Sequence, residues 1–189
     1  MRKIIVQEFL TLDGFAAGVN NETDFMPQST SGSPENNFEN NQWDFMDTVD
    51  TMVLGRNTHQ LFSNYWPTAK DEIAGKLNSL SRIVFSQTLK HAPWGKLSSA
   101  TIISKPAEAE LVRLKQLTGK NIVIWGSLSL VKSLMHTKLI DTYELIVCPT
   151  ALGKGKRLFP EDKGITHFEL LETKSFNGGC VMLRYQTGK

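Results

Sequence analysis

Apolar residues recur along this chain in two rhythms. Ile4-Ile5-Val6, Thr51-Met52-Val53-Leu54, Ile83-Val84-Phe85 and Ile122-Val123-Ile124-Trp125 are short continuous runs, several of them closed by glycine or small polar residues. Runs of this length predict strands buried on both faces. Leu111, Leu114 and Leu117 follow a helical spacing, as do Leu128, Val131, Leu134 and Met135. The pattern predicts strands at 4–10, 51–54, 82–85, about 101–103, and 121–125. Helices are expected at about 39–48, from 57 onward, at about 106–117, and from 128 onward. Ser104 is a candidate cap for the third of these helices, Pro106 suits its first turn, and Gly119 ends it.

Beyond residue 138 the grammar changes. A strand at 140–147 is followed by a Pro/Gly-rich loop at 149–160. Strands at 166–173 and 181–185 are then joined through Asn177-Gly178-Gly179, a hairpin signal. Successive strand–helix units followed by antiparallel strands predict an α/β fold: a mixed sheet flanked by helices, in a single domain over 1–189. Residues 18–42, rich in Asn, Ser, Gly and Pro, read as a long functional or mobile loop leading into the first helix.

Composition narrows the function. The 189 residues carry 21 Lys plus Arg against 19 Asp plus Glu, a net charge of +2, with no clustered basic stretch, so nucleic acid is not an expected partner. No apolar run is long enough to span a membrane, and Gln7 and Glu8 interrupt an opening that starts like a signal peptide. Cytoplasmic residence is the expectation. Two cysteines and four scattered histidines offer neither a disulfide framework nor a metal site. The remaining expectation is an enzyme or a ligand-binding domain for a small molecule.

Three strand ends carry candidate chemistry. Gly55-Arg56-Asn57-Thr58 places a glycine between strand and helix, where free N–H groups, an arginine and a hydroxyl favour an anion. A plain βα turn with a surface arginine is the alternative. Gly126-Ser127-Leu128 repeats the logic, and two such turns suit a dinucleotide with separated phosphates. Ser86 and Gln87, after the strand ending at Phe85, suit an adenosine pocket. Gly153-Lys154-Gly155 only superficially imitates a Gly-rich dinucleotide fingerprint, because the third glycine is missing and no strand–helix turn surrounds it. Trp43, Phe62, Trp66 and Trp125 are candidates to line a substrate cavity or to fill the core.

The segment Leu10-Thr11-Leu12-Asp13-Gly14-Phe15-Ala16-Ala17 resembles the opening of the dihydrofolate-reductase-like superfamily, and more closely the C-terminal reductase domain of the riboflavin-biosynthesis deaminase-reductase. The turns at Gly55 and Gly126, the strand end at Ser86, Asp141 to Leu145, and Pro149 to Phe159 follow in the family's order. The resemblance implies NADPH as cofactor, a homodimer, and hydride transfer to a small heterocyclic (pteridine- or pyrimidine-like) or imine-bearing substrate. By the same resemblance, Arg56 matches the position near the adenosine 2′-phosphate, and Ser86 and Gln87 match the adenosine side. Thr58 and the helix behind it, opened by the Gly55 turn, match one diphosphate contact, and Gly126, Ser127 and Leu128 match the other. Ala16 and Ala17 match the loop beside the nicotinamide.

Two positions depart from the family. Trp125 stands where the riboflavin-pathway enzyme carries an acid, and Ser127 replaces the second glycine of that turn. These departures keep open a non-catalytic ligand-binding protein that retains the fold. A catalytic residue is not identified. Asp13, inside the matched motif, either does chemistry or shapes its loop by an Asx-type turn. Asp44, Asp47 and Asp50 are further acids near the first helix without a secure motif position.

Overall fold

The computed structural model describes residues 1–26, 36–159 and 164–188. Eight strands form one sheet, β1 (Ile4–Thr11), β3 (Val49–Gly55), β4 (Ser81–Phe85), β5 (Thr101–Ile103), β6 (Asn121–Trp125), β7 (Thr142–Cys148), β9 (Phe168–Ser175) and β10 (Val181–Thr187). Their order is β5-β4-β3-β6-β1-β7-β10-β9. The first six of these positions pair in parallel; β10 runs antiparallel to both β7 and β9. The continuous apolar runs are the parallel strands, buried from both sides. Along β1, Ile4, Val6 and Leu10 enter one core while Ile5 enters the other.

Helices cover both faces. Leu111 and Leu114 of α4 (Ala107–Gln116) and Val131 and Leu134 of α5 (Leu128–Leu134) pack on the face of Ile4 and Val6. Phe45 and Met46 of α1 (Phe38–Asp47), Phe62 of α2 (Arg56–Tyr65) and Leu77 of α3 (Ala74–Ser79) pack on the opposite face. Full burial of a Leu or Ile side chain contributes about 1.5–3 kcal/mol, so these stripes fix which face each helix takes. The Oδ1 of Asn37 accepts from Glu39 N at 2.6 Å and Asn40 N at 3.2 Å and starts α1.

The edge formed by the N-terminal ends of the parallel strands is stapled by charge. Arg2 pairs with Asp50 and donates to the Lys120 carbonyl at 2.6 Å. Lys115 pairs with Asp141, whose Oδ2 also accepts from Ile4 N at 2.7 Å. Asp50 thus serves the end opposite the candidate turns, and Asp47 pairs with Lys76.

Several expectations are corrected in detail. Ser104 does not cap α4; Pro106 precedes its first turn and no side chain caps it. The short α3 has too few apolar positions to show a period. A two-stranded sheet of β2 (Phe15–Ala17) and β8 (Lys156–Arg157) was not anticipated, because neither strand is long enough to show alternation. The segment read as a long loop falls at 27–35 outside the described residues, as does Pro160 of the later loop. No helix among the described residues is long and apolar enough to cross a membrane.

Candidate functional site

Parallel strands deliver their C-terminal ends to one edge of the sheet. The helix after β3 lies on one face and the helix after β6 on the other, although these strands are neighbours. In open α/β sheets such a divergence is the place where a crevice forms outside the strand ends, which makes this the candidate crevice. The turns at Gly55 and Gly126 are its two lips.

The lips are tied together by hydrogen bonds. Ser127 Oγ accepts from Gly55 N at 2.7 Å and donates to the Trp125 carbonyl at 2.9 Å. Ser127 N in turn donates to Thr58 Oγ1 at 2.9 Å. The backbone is left-handed at Gly126 (φ 54°) and again at Ser127 (φ 55°, ψ 38°). A Cβ on Gly126 would come within 3.0 Å of Thr58 Oγ1, so glycine is needed there for space as well as for φ. Ser127 holds the same region without that freedom. A strained non-glycine residue at a strand end is a feature of functional sites.

The amides of Gly55 and Ser127, expected to face a ligand, are therefore spent inside the protein. What remains open is the first turn of α2, which has no capping side chain, the Thr58 hydroxyl proton, and Arg56. The guanidinium of Arg56 is exposed and donates from Nη1 to Thr88 Oγ1 at 3.0 Å, bridging the ends of β3 and β4. Ser86 is engaged locally, its Oγ accepting from Leu89 N at 3.0 Å and Thr88 N at 3.3 Å. Gln87 is exposed beside it. Leu128 opens α5 and packs partly on the core.

Ala16 and Ala17 are buried in β2. Gly155, next to β8, lies against the Ala17 carbonyl, leaving no room for a side chain. Asp13 is committed to the same loops. Its carboxylate accepts from Thr11 Oγ1 at 2.5 Å, Gly153 N at 2.7 Å and Leu152 N at 3.2 Å. These bonds, the Thr11 hydroxyl first, hold its pKa down at about 2. Arg157 donates to the Asp13 carbonyl at 3.0 Å and covers the Phe15 ring. The geometry is that of a loop clasp.

Of the four candidate aromatics, three come together. Phe62 lies 6.1 Å from Trp125 and 6.2 Å from Trp66 between ring centroids. Trp43 stands apart, exposed and covered by Lys76 Nζ at 3.9 Å. A cavity of about 470 Å³ near the end of β7, lined in part by Phe25, Met26, Pro149 and Cys180, involves none of the crevice residues.

Sequence reasoning passed over the buried polar groups of the central strands. Trp125 Nε1 donates to Gln7 Oε1 at 2.7 Å, and Gln7 Nε2 donates to Glu144 Oε1 at 2.8 Å. Arg184 meets Glu144 Oε2 at 2.9 Å and pairs with Glu172. The row follows the register of β6, β1, β7, β10 and β9. Gln42 of α1 closes a double amide pair on Gln7. On the other face, Glu8 is buried, and its Oε2 accepts from Gly126 N at 2.8 Å. Burial pushes its carboxyl up to about 8, the Gly126 amide opposing. The signal was present as Gln7-Glu8 and Glu144 interrupting apolar strands.

Known proteins give this geometry a family. Residues 2–182 match the model of the RibD C-terminal domain. The uncharacterized Bacillus subtilis (strain 168) protein YyaP is 30% identical over 189 residues, covering 97% of this chain and 94% of YyaP. A candidate riboflavin biosynthesis protein from Shewanella sp. PV-4 shares the fold with a TM-score of 0.73 at 21% identity, covering 99% of each chain. A Thermotoga maritima diaminohydroxyphosphoribosylaminopyrimidine deaminase/5-amino-6-(5-phosphoribosylamino)uracil reductase gives 0.69 at 11% identity, over 99% of this chain and 57% of that one. Dihydrofolate reductase from Enterococcus faecalis, complexed with NADP(H), gives 0.57 at 14% identity, over 99% and 97%. The mixed sheet is thus of the dihydrofolate-reductase-like type, and the chain belongs to the RibD C-terminal domain family.

Proposed function

We propose that this protein is an NADPH-dependent reductase. The observation that carries the reading is the crevice between β3 and β6, with the uncapped first turn of α2 and the exposed Arg56 guanidinium at its mouth. The free amides Arg56 N and Asn57 N and the Thr58 hydroxyl suit one end of a diphosphate. Arg56 suits the additional phosphate that distinguishes NADPH from NADH. Ser86 and Gln87 flank the adenosine, Gly126, Ser127 and Leu128 lie at the second diphosphate contact, and Ala16 and Ala17 form an apolar wall for the nicotinamide. When bound, the cofactor supplies the hydride; the chain positions it and excludes water.

The substrate is a small heterocycle or imine. The aromatic group of Phe62, Trp66 and Trp125 supplies a flat apolar wall, and the Gln7–Gln42 amide pair a polar edge. We further propose that the protein works in the cytoplasm as a homodimer. The outer strand β9 supports this pairing, since it leaves a sheet edge open with Leu170 and Leu171 exposed. Loss of the Gly55 and Ser127 amides to internal bonds favours a second reading, a ligand-binding protein without catalysis.

Thermal unfolding with NADPH, NADH or neither tests the main reading. NADPH at a hundredfold over its dissociation constant adds roughly 2.7 kcal/mol. No shift with either nucleotide rejects a dinucleotide site. An NADPH shift without NADPH oxidation, across pteridine, pyrimidine and imine substrates, selects the second reading.

A further inference from the structure

Among the described residues, Glu8 is the one buried carboxyl that bonds the Gly126 turn. It lies on β1, directly beside Leu145 of β7, and reaches the Gly126 turn at the end of β6. Only 6% of the residue is exposed. Gly126 N bonds Oε2 at 2.8 Å; among the described residues no donor or cation meets Oε1. A buried carboxyl without a cation is stable only when neutral, which makes one of its oxygens a hydroxyl donor.

We infer that Glu8 is a ligand-binding residue of this site: Oε2 holds the Gly126 turn, and Oε1–H donates to a phosphate oxygen of the bound dinucleotide. This rests on the reading of the crevice as a dinucleotide site. Binding is then coupled to protonation. An ionised Glu8 would offer no donor and would repel the diphosphate; a neutral one does neither.

The titration fits. Burial raises the carboxyl to about 8, and the Gly126 amide alone works against it. Charged groups on the elements sharing this face are Lys132 on α5, Arg157 on β8, and Glu108, Glu110, Arg113 and Lys115 on α4. None figures among the causes of the shift. Arg157 is turned to Asp13 and Phe15, Arg113 to Glu110, and Lys115 to Asp141.

The test is NADPH affinity of the full chain from pH 7 to pH 9.5, for the wild type and for Glu8→Gln. Over this range the cofactor's phosphates are already ionised. The wild-type dissociation constant should rise about tenfold between pH 7 and pH 9, as a single proton with a midpoint near 8 is lost. Glu8→Gln keeps both an acceptor for Gly126 N and a donor for the ligand. It should bind at pH 7 within about threefold of the wild type and show a flat profile. Glu8→Ala should bind more weakly than the wild type at pH 7 with a flat profile, and that loss should be recovered by Gln. A flat wild-type profile, or a slope that survives in Glu8→Gln, overturns the inference and leaves the dinucleotide site standing. No NADPH binding by any form at any pH overturns both.

Discussion

Ser127 combines a bonding role with a backbone conformation that a side chain disfavours, and two substitutions separate the contributions. Ser127→Ala removes the Oγ that receives the Gly55 amide and donates to the Trp125 carbonyl. Leaving a part-buried donor unpaired costs about 1–3 kcal/mol. Ser127→Gly removes the same bonds but relieves the left-handed φ of 55°, worth about 1–2 kcal/mol for a residue bearing a Cβ. Part of that gain is returned, since glycine loses more freedom on folding, by about 0.5–1 kcal/mol. Equilibrium urea unfolding should therefore rank wild type first, Gly second and Ala last, with Gly above Ala by about 1 kcal/mol. Equal Gly and Ala midpoints would refute the strain. If both variants matched the wild type, the bond between the two lips would contribute nothing.

Other perturbations have equally definite outcomes. Glu8 is raised in the folded state from 4.5 to about 8, so the folded protein holds this proton more tightly and stability falls as pH rises from about 4.5 to 8, then levels. The gap corresponds to at most about 5 kcal/mol; the stability of Glu8→Gln relative to wild type should climb across that window in urea titrations, and a constant difference would contradict the burial. Glu144→Ala removes the buried acceptor shared by Gln7 and Arg184, while Arg184 keeps Glu172, an effect of about 1–3 kcal/mol; a loss well under 1 kcal/mol in the same assay would show that the row of polar side chains is not coupled. Asp13→Ala should speed amide hydrogen exchange at Leu152 and Gly153 at least tenfold while β1 stays protected, and unchanged exchange would remove Asp13 from the clasp. The wild-type clasp should persist as pH falls, until the carboxylate titrates near 2.

The parallel strands were legible because burial on both faces leaves no alternation to misread. The same reasoning placed Gly55 and Gly126 at strand ends, and the turn order carried the family; that the two strands are neighbours came from the sheet order. It was blind where one short element depends on a distant one. Lys156 and Arg157 form a strand only because Phe15 and Ala17 lie alongside. The pairing of Ser127 with Gly55 and Thr58 spans about seventy positions, and nothing local announces it. Trp43 and Trp125 look alike in sequence, yet one is stacked under a lysine at the surface and the other bonds Gln7 in the core. Glu8 was visible as a break in an apolar strand, but its meaning required the neighbouring Gly126.

In the proposed crevice, Arg56 selects NADPH over NADH. Equilibrium titration of the wild type and Arg56→Ala with NADPH and NADH, at fixed salt, measures that selection directly. A bidentate phosphate contact of roughly 1.5–3 kcal/mol should give the wild type at least a tenfold preference for NADPH, and Arg56→Ala little or none. Equal affinity of the wild type for the two nucleotides, or a preference untouched by the substitution, would contradict the account.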